Sequence, residues 1–189
     1  MKKILLTSLL AVFAVSSANA AFEFNPYVGV RGGYDFETKT SSDSSNTPSD
    51  STNGGMVGGV VGATFFDSED FAARIEAEYI YTDLSDDSVD VSNHTALLNL
   101  VGDIKTGLAV TPYITAGIGY GWTTISLDNE YVHGDIDGDD LAWQLGVGLT
   151  YAATDAFDID LGYRYINSGE MLSTDIESHQ VYLGLRYAF

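Results

Sequence analysis

Hydrophobic and polar residues alternate without a break over the last eleven positions. His179, Val181, Leu183, Leu185, Tyr187 and Phe189 share one face, and Gln180, Tyr182, Gly184, Arg186 and Ala188 share the other. A period of two is that of a β-strand, whose successive side chains point to opposite faces. Seven further segments read the same way, at about Tyr27–Phe36, Met56–Phe66, Phe71–Thr82, Thr95–Ile104, Pro112–Leu127, Leu141–Ala152 and Phe157–Asn167. Most set an apolar, aromatic face against one bearing charge. Ala73, Ile75, Ala77, Tyr79 and Tyr81 oppose Arg74, Glu76 and Glu78, while Phe157, Ile159, Leu161, Tyr163 and Tyr165 oppose Asp158, Asp160, Gly162 and Arg164. The Gly-rich second segment leaves its facing ambiguous.

The connections alternate in length. Glu37–Asn53, Asp83–Asn93, Asp128–Asp140 and Ser168–Glu177 read as long ones, whereas Asp67–Asp70, Lys105–Thr111 and Ala153–Ala156 read as short. Short turns on one side and long loops on the other are the rhythm of a barrel that crosses an outer membrane with both termini in the periplasm. Each segment is near or above the roughly 9–11 residues that a tilted strand needs to cross a bilayer. The pattern therefore predicts an all-β fold, an eight-stranded antiparallel up-and-down transmembrane β-barrel, with apolar side chains toward lipid and polar ones within. A soluble lipocalin-like barrel is the structural rival.

Charge sharpens this picture. Arg31, Arg74, Arg164 and Arg186 fall on the inward face, together with Asp35, Glu76, Glu78, Asp103, Asp158 and Asp160. Eight strands leave a lumen just wide enough for side chains to fill. Unpaired charges there are costly, so these ten residues are expected to form an ion-pair network that plugs the barrel. The competing reading is a path for protons or ions. Outward aromatics such as Tyr34, Phe36, Tyr79, Tyr81, Trp122, Tyr163 and Tyr165 gather near strand ends, where interfacial girdles form.

Composition then bounds the function. Lys2 and Lys3, the apolar run Ile4–Val15 and Ala18-Asn19-Ala20 read as a secretory signal, so residues 1–20 are expected to be removed and 21–189 to form the barrel domain. The chain has 27 acidic residues against 8 basic ones, and two of the basic ones lie in the signal. Such acidity argues against a nucleic-acid partner, whose phosphates need Lys and Arg. There is no cysteine, which excludes disulfides and thiol chemistry. Tyr and Phe, 12 and 9 in number, favour a folded chain over a disordered acidic one. Within Glu37–Asn53, Ser, Thr, Asp and Asn dominate, and this stretch is expected to be a mobile loop.

Candidate chemistry is sparse. Asp135, Asp137, Asp139 and Asp140 resemble a calcium loop at first sight. The sixth and twelfth places hold Asp140 and Gly146 where an EF-hand needs Gly and Glu, so the reading is a solvated acidic hairpin tip with at most a weak divalent-cation site. The histidines are His94, His133 and His179, and none is set in a recognisable nucleophile–base pattern. No cofactor and no catalytic residues are expected. Pro26-Tyr27-Val28-Gly29-Val30 echoes Pro112-Tyr113-Ile114-Thr115-Ala116, and both are followed by Gly-Tyr at the same offset. Two strands facing the same solvents select similar residues, so no duplication is inferred.

The runs Pro112–Tyr120, Leu161–Tyr165 and Tyr182–Phe189, in that order after a signal peptide, resemble eight-stranded outer-membrane barrels of the OmpA/OmpX-like and opacity-protein group. The resemblance implies an integral outer-membrane protein, a monomer in contact with lipid and lipopolysaccharide, with acidic loops outside. Leu185, Tyr187 and Phe189 match by position the terminal signal read by the barrel-assembly machinery. A peptidoglycan-binding domain like that of full-length OmpA-type proteins is not expected after Phe189, so peptidoglycan anchoring is not implied. Members serve as adhesins, structural barrels and small pores. The expected role is therefore structural or adhesin-like, toward an unknown host or surface ligand. A narrow porin-like channel is the alternative, and a lipid-modifying enzyme a third reading.

Overall fold

The computed structural model describes residues 24–42, 52–86, 89–129, 132–171 and 174–189, with side chains described over 24–36, 53–83, 92–122, 141–167 and 177–189. Eight strands occupy the described residues: β1 (Asn25–Ser42), β2 (Thr52–Asp67), β3 (Phe71–Asp86), β4 (Val89–Ile104), β5 (Val110–Asn129), β6 (Val132–Ala152), β7 (Phe157–Met171) and β8 (Thr174–Ala188). Each pairs antiparallel with its sequence neighbours, and β8 returns to β1 to close the barrel. Closure removes the unpaired backbone edge, which hydrocarbon does not tolerate.

The pleat sorts side chains as the alternation requires. Outward Val30, Ile118 and Leu183 are 62%, 62% and 59% exposed, whereas inward Glu76 and Arg164 are each 1% exposed. A water-soluble protein would invert that order. In β2 the facing is now defined: Met56 and Val60 point inward and Val57 outward. The register slips between Thr64 and Phe66, a bulge at the short-turn end of the strand.

The strands run further than their apolar patterns. β3 and β4 stay in register to Asp86↔Val89, and β5 and β6 to Asn129↔Val132. Asp83–Asn93, Asp128–Asp140 and Ser168–Glu177, expected as connections, thus lie largely in paired strand. The acidic stretch is not a hairpin tip: Asp135, Asp137, Asp139 and Asp140 pair with Ser126, Thr124, Trp122 and Gly121. A ladder is made by backbone N–H and C=O groups, and beyond the hydrocarbon polar side chains do not oppose it. Of Glu37–Asn53, β1 claims the part up to Ser42 and β2 the part from Thr52, and 43–51 lie outside the described residues.

The short turns are tightly made. Ser68 Oγ donates to the Phe71 carbonyl at 2.7 Å and accepts from the Phe71 N–H at 3.2 Å. Gly107, between β4 and β5, takes φ 70°, a region glycine enters without steric cost.

Candidate functional site

The lumen gathers the inward charges. Glu76 on β3 accepts from Arg31 at 2.8 Å and from Arg74 at 3.0 Å. Glu78, two residues on, accepts from Arg31 at 2.8 Å and from Arg164 at 2.7 Å. Arg74 also grips both oxygens of Asp103, at 2.7 and 2.8 Å, in a forked contact. Near the short-turn end, Arg186 lies 2.8 Å from Asp160 and 3.2 Å from Asp158, whose side chain is one-third exposed. Asp35 sits toward the opposite end, where the Ser178 hydroxyl and the Gln180 amide donate to it. Gln180 also accepts from Arg164 at 2.8 Å, which joins Asp35 to the rest.

Neutral groups complete the network, and the alternation of charges does not point to them. Asn99 donates to Glu78 at 2.8 Å and accepts from Gln144 at 2.6 Å, while Thr150 donates to Asp160 at 2.7 Å. Among the described residues, three tyrosines are buried in the lumen. Tyr27 Oη donates to Glu76 at 2.7 Å, and Tyr113 and Tyr182 join hydroxyls at 2.9 Å. Their rings carry guanidinium groups on their faces: Arg164 over Tyr182 at 4.8 Å, Arg186 over Tyr27 at 5.1 Å.

These rings fit because glycine lies beneath them. A Cβ at Gly62 would sit 2.7 Å from the Tyr27 hydroxyl, and one at Gly162 would sit 2.7 Å from that of Tyr113. Inward glycines across from inward tyrosines were the sequence signal for this packing. Gly162→Val is expected to lower stability by about 1–3 kcal/mol through overpacking, read from a urea titration in lipid vesicles.

Toward the long-strand end, level with Asp35, sits an apolar cluster. Met56, Ile80, Leu97, Ala142 and Ile166 pack with the Tyr182 ring, all buried. They come from five strands and lie on the long-strand side of the Arg31, Arg164 and Glu78 ion pairs.

The outer wall carries two histidine-centred clusters. His94 Nδ1 lies 2.7 Å from Tyr79 Oη, and the ring stacks on Trp122 at 5.8 Å. His179 Nδ1 lies 2.7 Å from Tyr163 Oη, and the ring stacks on Phe36 at 6.2 Å. In both, a Tyr-x-Tyr strand faces the histidine, with Tyr81↔His94 and Tyr165↔His179 in register. The clusters are four strands apart, hence on opposite sides of the ring. The echo between β1 and β5 acquires a counterpart, for Tyr27↔Gly62 and Tyr113↔Gly148 occupy equivalent registers.

Other expected site residues separate from the lumen. Leu185, Tyr187 and Phe189 lie on the lipid-facing side of β8, with the Phe189 and Tyr187 rings edge to face at 5.3 Å. The side chains of His133, Asp135, Asp137, Asp139 and Asp140 lie outside the described ones. Among the described residues, no three His, Cys, Asp or Glu side chains are grouped to hold a metal ion.

A closed eight-stranded wall, apolar outside and charged within, is an outer-membrane architecture, and the sequence profile agrees. Residues 5–189 match the outer membrane protein beta-barrel domain. The chain belongs to that family. This outer-membrane β-barrel is similar to the outer membrane protein PagN of Salmonella typhimurium, 28% identical over 180 residues that cover 74% of this chain and 75% of PagN. Among solved structures it resembles Neisserial surface protein A, with a TM-score of 0.67 and 21% identity, over 87% of this chain and 97% of that one. It also resembles Ail, the attachment invasion locus protein of Yersinia pestis, with a TM-score of 0.50 and 14% identity, over 85% and 98% of the two chains. At these identities the two structures speak to the fold. The barrel is an outer-membrane protein.

Proposed function

We propose that the protein is a non-catalytic, monomeric barrel that works at the cell surface, with an adhesin-like role carried by the long-strand end. The observation behind this reading is the filled lumen. Ion pairs occupy the middle and the Met56–Ile80–Leu97 cluster lies on their long-strand side, so the protein's useful surface is its external rim rather than a pore. That rim is acidic, with Asp135, Asp137, Asp139 and Asp140 on β6. The name of Ail, an attachment invasion locus protein, supports the same direction. In this reading residues 1–20 are a cleaved signal, both mature termini are periplasmic, and the wall contacts phospholipid and lipopolysaccharide. Leu185, Tyr187 and Phe189 are offered to the barrel-assembly machinery.

The test is adhesion. Bacteria displaying the barrel are expected to bind a surface panel of host cells and matrix proteins above a barrel-free control. Replacing 128–140 with a short neutral turn should abolish the difference while folded barrel persists on heat-modifiable gels. Undiminished binding by that variant would remove the rim from the argument. Purified barrel in planar bilayers is expected to give no steady conductance, and a stable current would favour the channel. For assembly, Phe189→Ala is expected to reduce folded barrel in cells severalfold, while barrel refolded in vitro still folds and loses only about 1–3 kcal/mol, the transfer free energy of one lipid-facing ring.

A further inference from the structure

The lipid-facing wall is not even. A groove of about 650 Å³ crosses it, with Ala73, Gly102 and Ala116 among its lining residues. Its sides are aliphatic, from Ile114, Leu145 and Val147, and it ends against Tyr163 and Tyr165. The register places Ala73, Gly102, Ile114, Val147 and Tyr163 in one line across five strands. Four strand spacings make that line roughly 19 Å long. Because strands in such barrels tilt by about 45°, the line climbs roughly 13 Å, close to one leaflet of a hydrocarbon core about 30 Å thick. It climbs in a defined direction. Ala73 is two residues from the short-turn end of β3, whereas Tyr163 is six residues up β7.

At the upper end stands His179. Its Nδ1 is engaged by Tyr163 Oη, so when that hydroxyl donates, the proton of the ring lies on Nε2, at the edge away from the backbone. The ring is half-buried among Phe36, Tyr163 and Tyr165, at the level where aromatic girdles meet headgroups. Cations are scarce among the described side chains of this wall. Of the described basic side chains, the four arginines point into the lumen, and Lys105 pairs with Asp67 at the short-turn end. Among the described side chains, the imidazole N–H of His179 and the indole N–H of Trp143, tilted against Tyr165, are donors at the top of the groove, and that of His179 is the one beside Tyr163, where the line of the groove ends.

We propose that this groove and His179 form a binding site for one phosphate-bearing membrane lipid. An acyl chain lies over Ala73 and Ala116 beside the Phe71 ring, which covers Gly102, and a phosphoryl oxygen accepts the Nε2–H of His179. His94 has the same tyrosine contact, but the corresponding line from Tyr79 runs through Gly59, Val30, Leu185 and Ile159, bulky over its last three members. It serves as the internal control.

Native mass spectrometry of the folded full chain, released from detergent after exposure to phosphatidylglycerol or to a diacyl glycolipid with the same chains, tests this. One phospholipid is expected to be retained about tenfold better than the glycolipid, the size of one hydrogen bond to a charged group. His179→Phe, which keeps the ring and loses the donor, should erase that preference, and Ala116→Phe should reduce retention of both lipids about tenfold. His94→Phe should change neither. Ala116→Leu replaces Ala116→Phe if the larger side chain prevents folding. Equal retention of the two lipids, or retention unaffected by His179→Phe or by groove filling, would overturn the assignment. So would displacement of the lipid by inorganic phosphate alone, which would make the site one for the free anion.

Discussion

Glu78→Leu is expected to cost about 3–5 kcal/mol of stability, the typical penalty for removing one partner of a buried ion pair. This carboxylate receives Arg31, Arg164 and Asn99, all within 2.8 Å, and its side chain is fully enclosed. Its loss leaves Arg164 with Gln180 and the Tyr182 ring, neither of which carries a balancing charge. Arg31 is less affected, because Glu76 still accepts from it at 2.8 Å. Combining Glu78→Leu with Arg164→Met should therefore recover part of the loss, and the double-mutant cycle should give a coupling of about 2 kcal/mol. Urea midpoints in lipid vesicles, followed by far-ultraviolet circular dichroism, measure it. Additive losses would mean that the pair is not coupled.

Leu183→Arg is expected to cost about 2–4 kcal/mol in a bilayer, although Leu183 is 59% exposed. At an exposed position on a water-soluble protein the same change stays within about 0.5 kcal/mol. Leu183 lies five residues from the short-turn end of β8, opposite Leu161, a rise of about 12 Å along a strand tilted by about 45°, so its arginine would enter the hydrocarbon near the midplane. The control is Val57→Arg on β2, outward near the upper rim, where the cost should fall to about 0–1 kcal/mol. Refolding titrations in vesicles of fixed thickness compare the two. Equal and small costs at both positions would place this wall in water.

These expectations draw on features that differed in how plainly the sequence carried them. The facing of β1, β3, β4, β6, β7 and β8 could be read directly, because an apolar, aromatic face alternates there with one that is charged, polar or small. β2 could not be read, since Gly58, Gly59 and Gly62 carry no side chain to mark a face, and Met56 and Val60 are apolar although they point inward. The strand ends were hidden for a different reason. Pairing at Asp135–Asp140 depends on backbone bonds and the geometry of the hairpin, to which hydropathy is blind. Within the lumen the set of charges was legible but the partners were not. Which arginine meets which carboxylate depends on shear around the ring, as Arg31 on β1 reaching Glu78 on β3 illustrates. Tyr182 was visible as an inward residue of β8, but its place under Arg164 and beside Tyr113 required the absent side chain of Gly162.

The chain has two tryptophans, and both stand on the outer wall toward the long-strand end: Trp122 stacked on His94, and Trp143 tilted against Tyr165 at 5.3 Å. Intrinsic fluorescence of this protein is therefore an optical gauge of the membrane boundary and is nearly silent about the ionic interior. Quenchers fixed at shallow depth on acyl chains should darken both indoles together, whereas loosening the arginine–carboxylate lattice without withdrawing the wall from lipid should leave the emission maximum where it was.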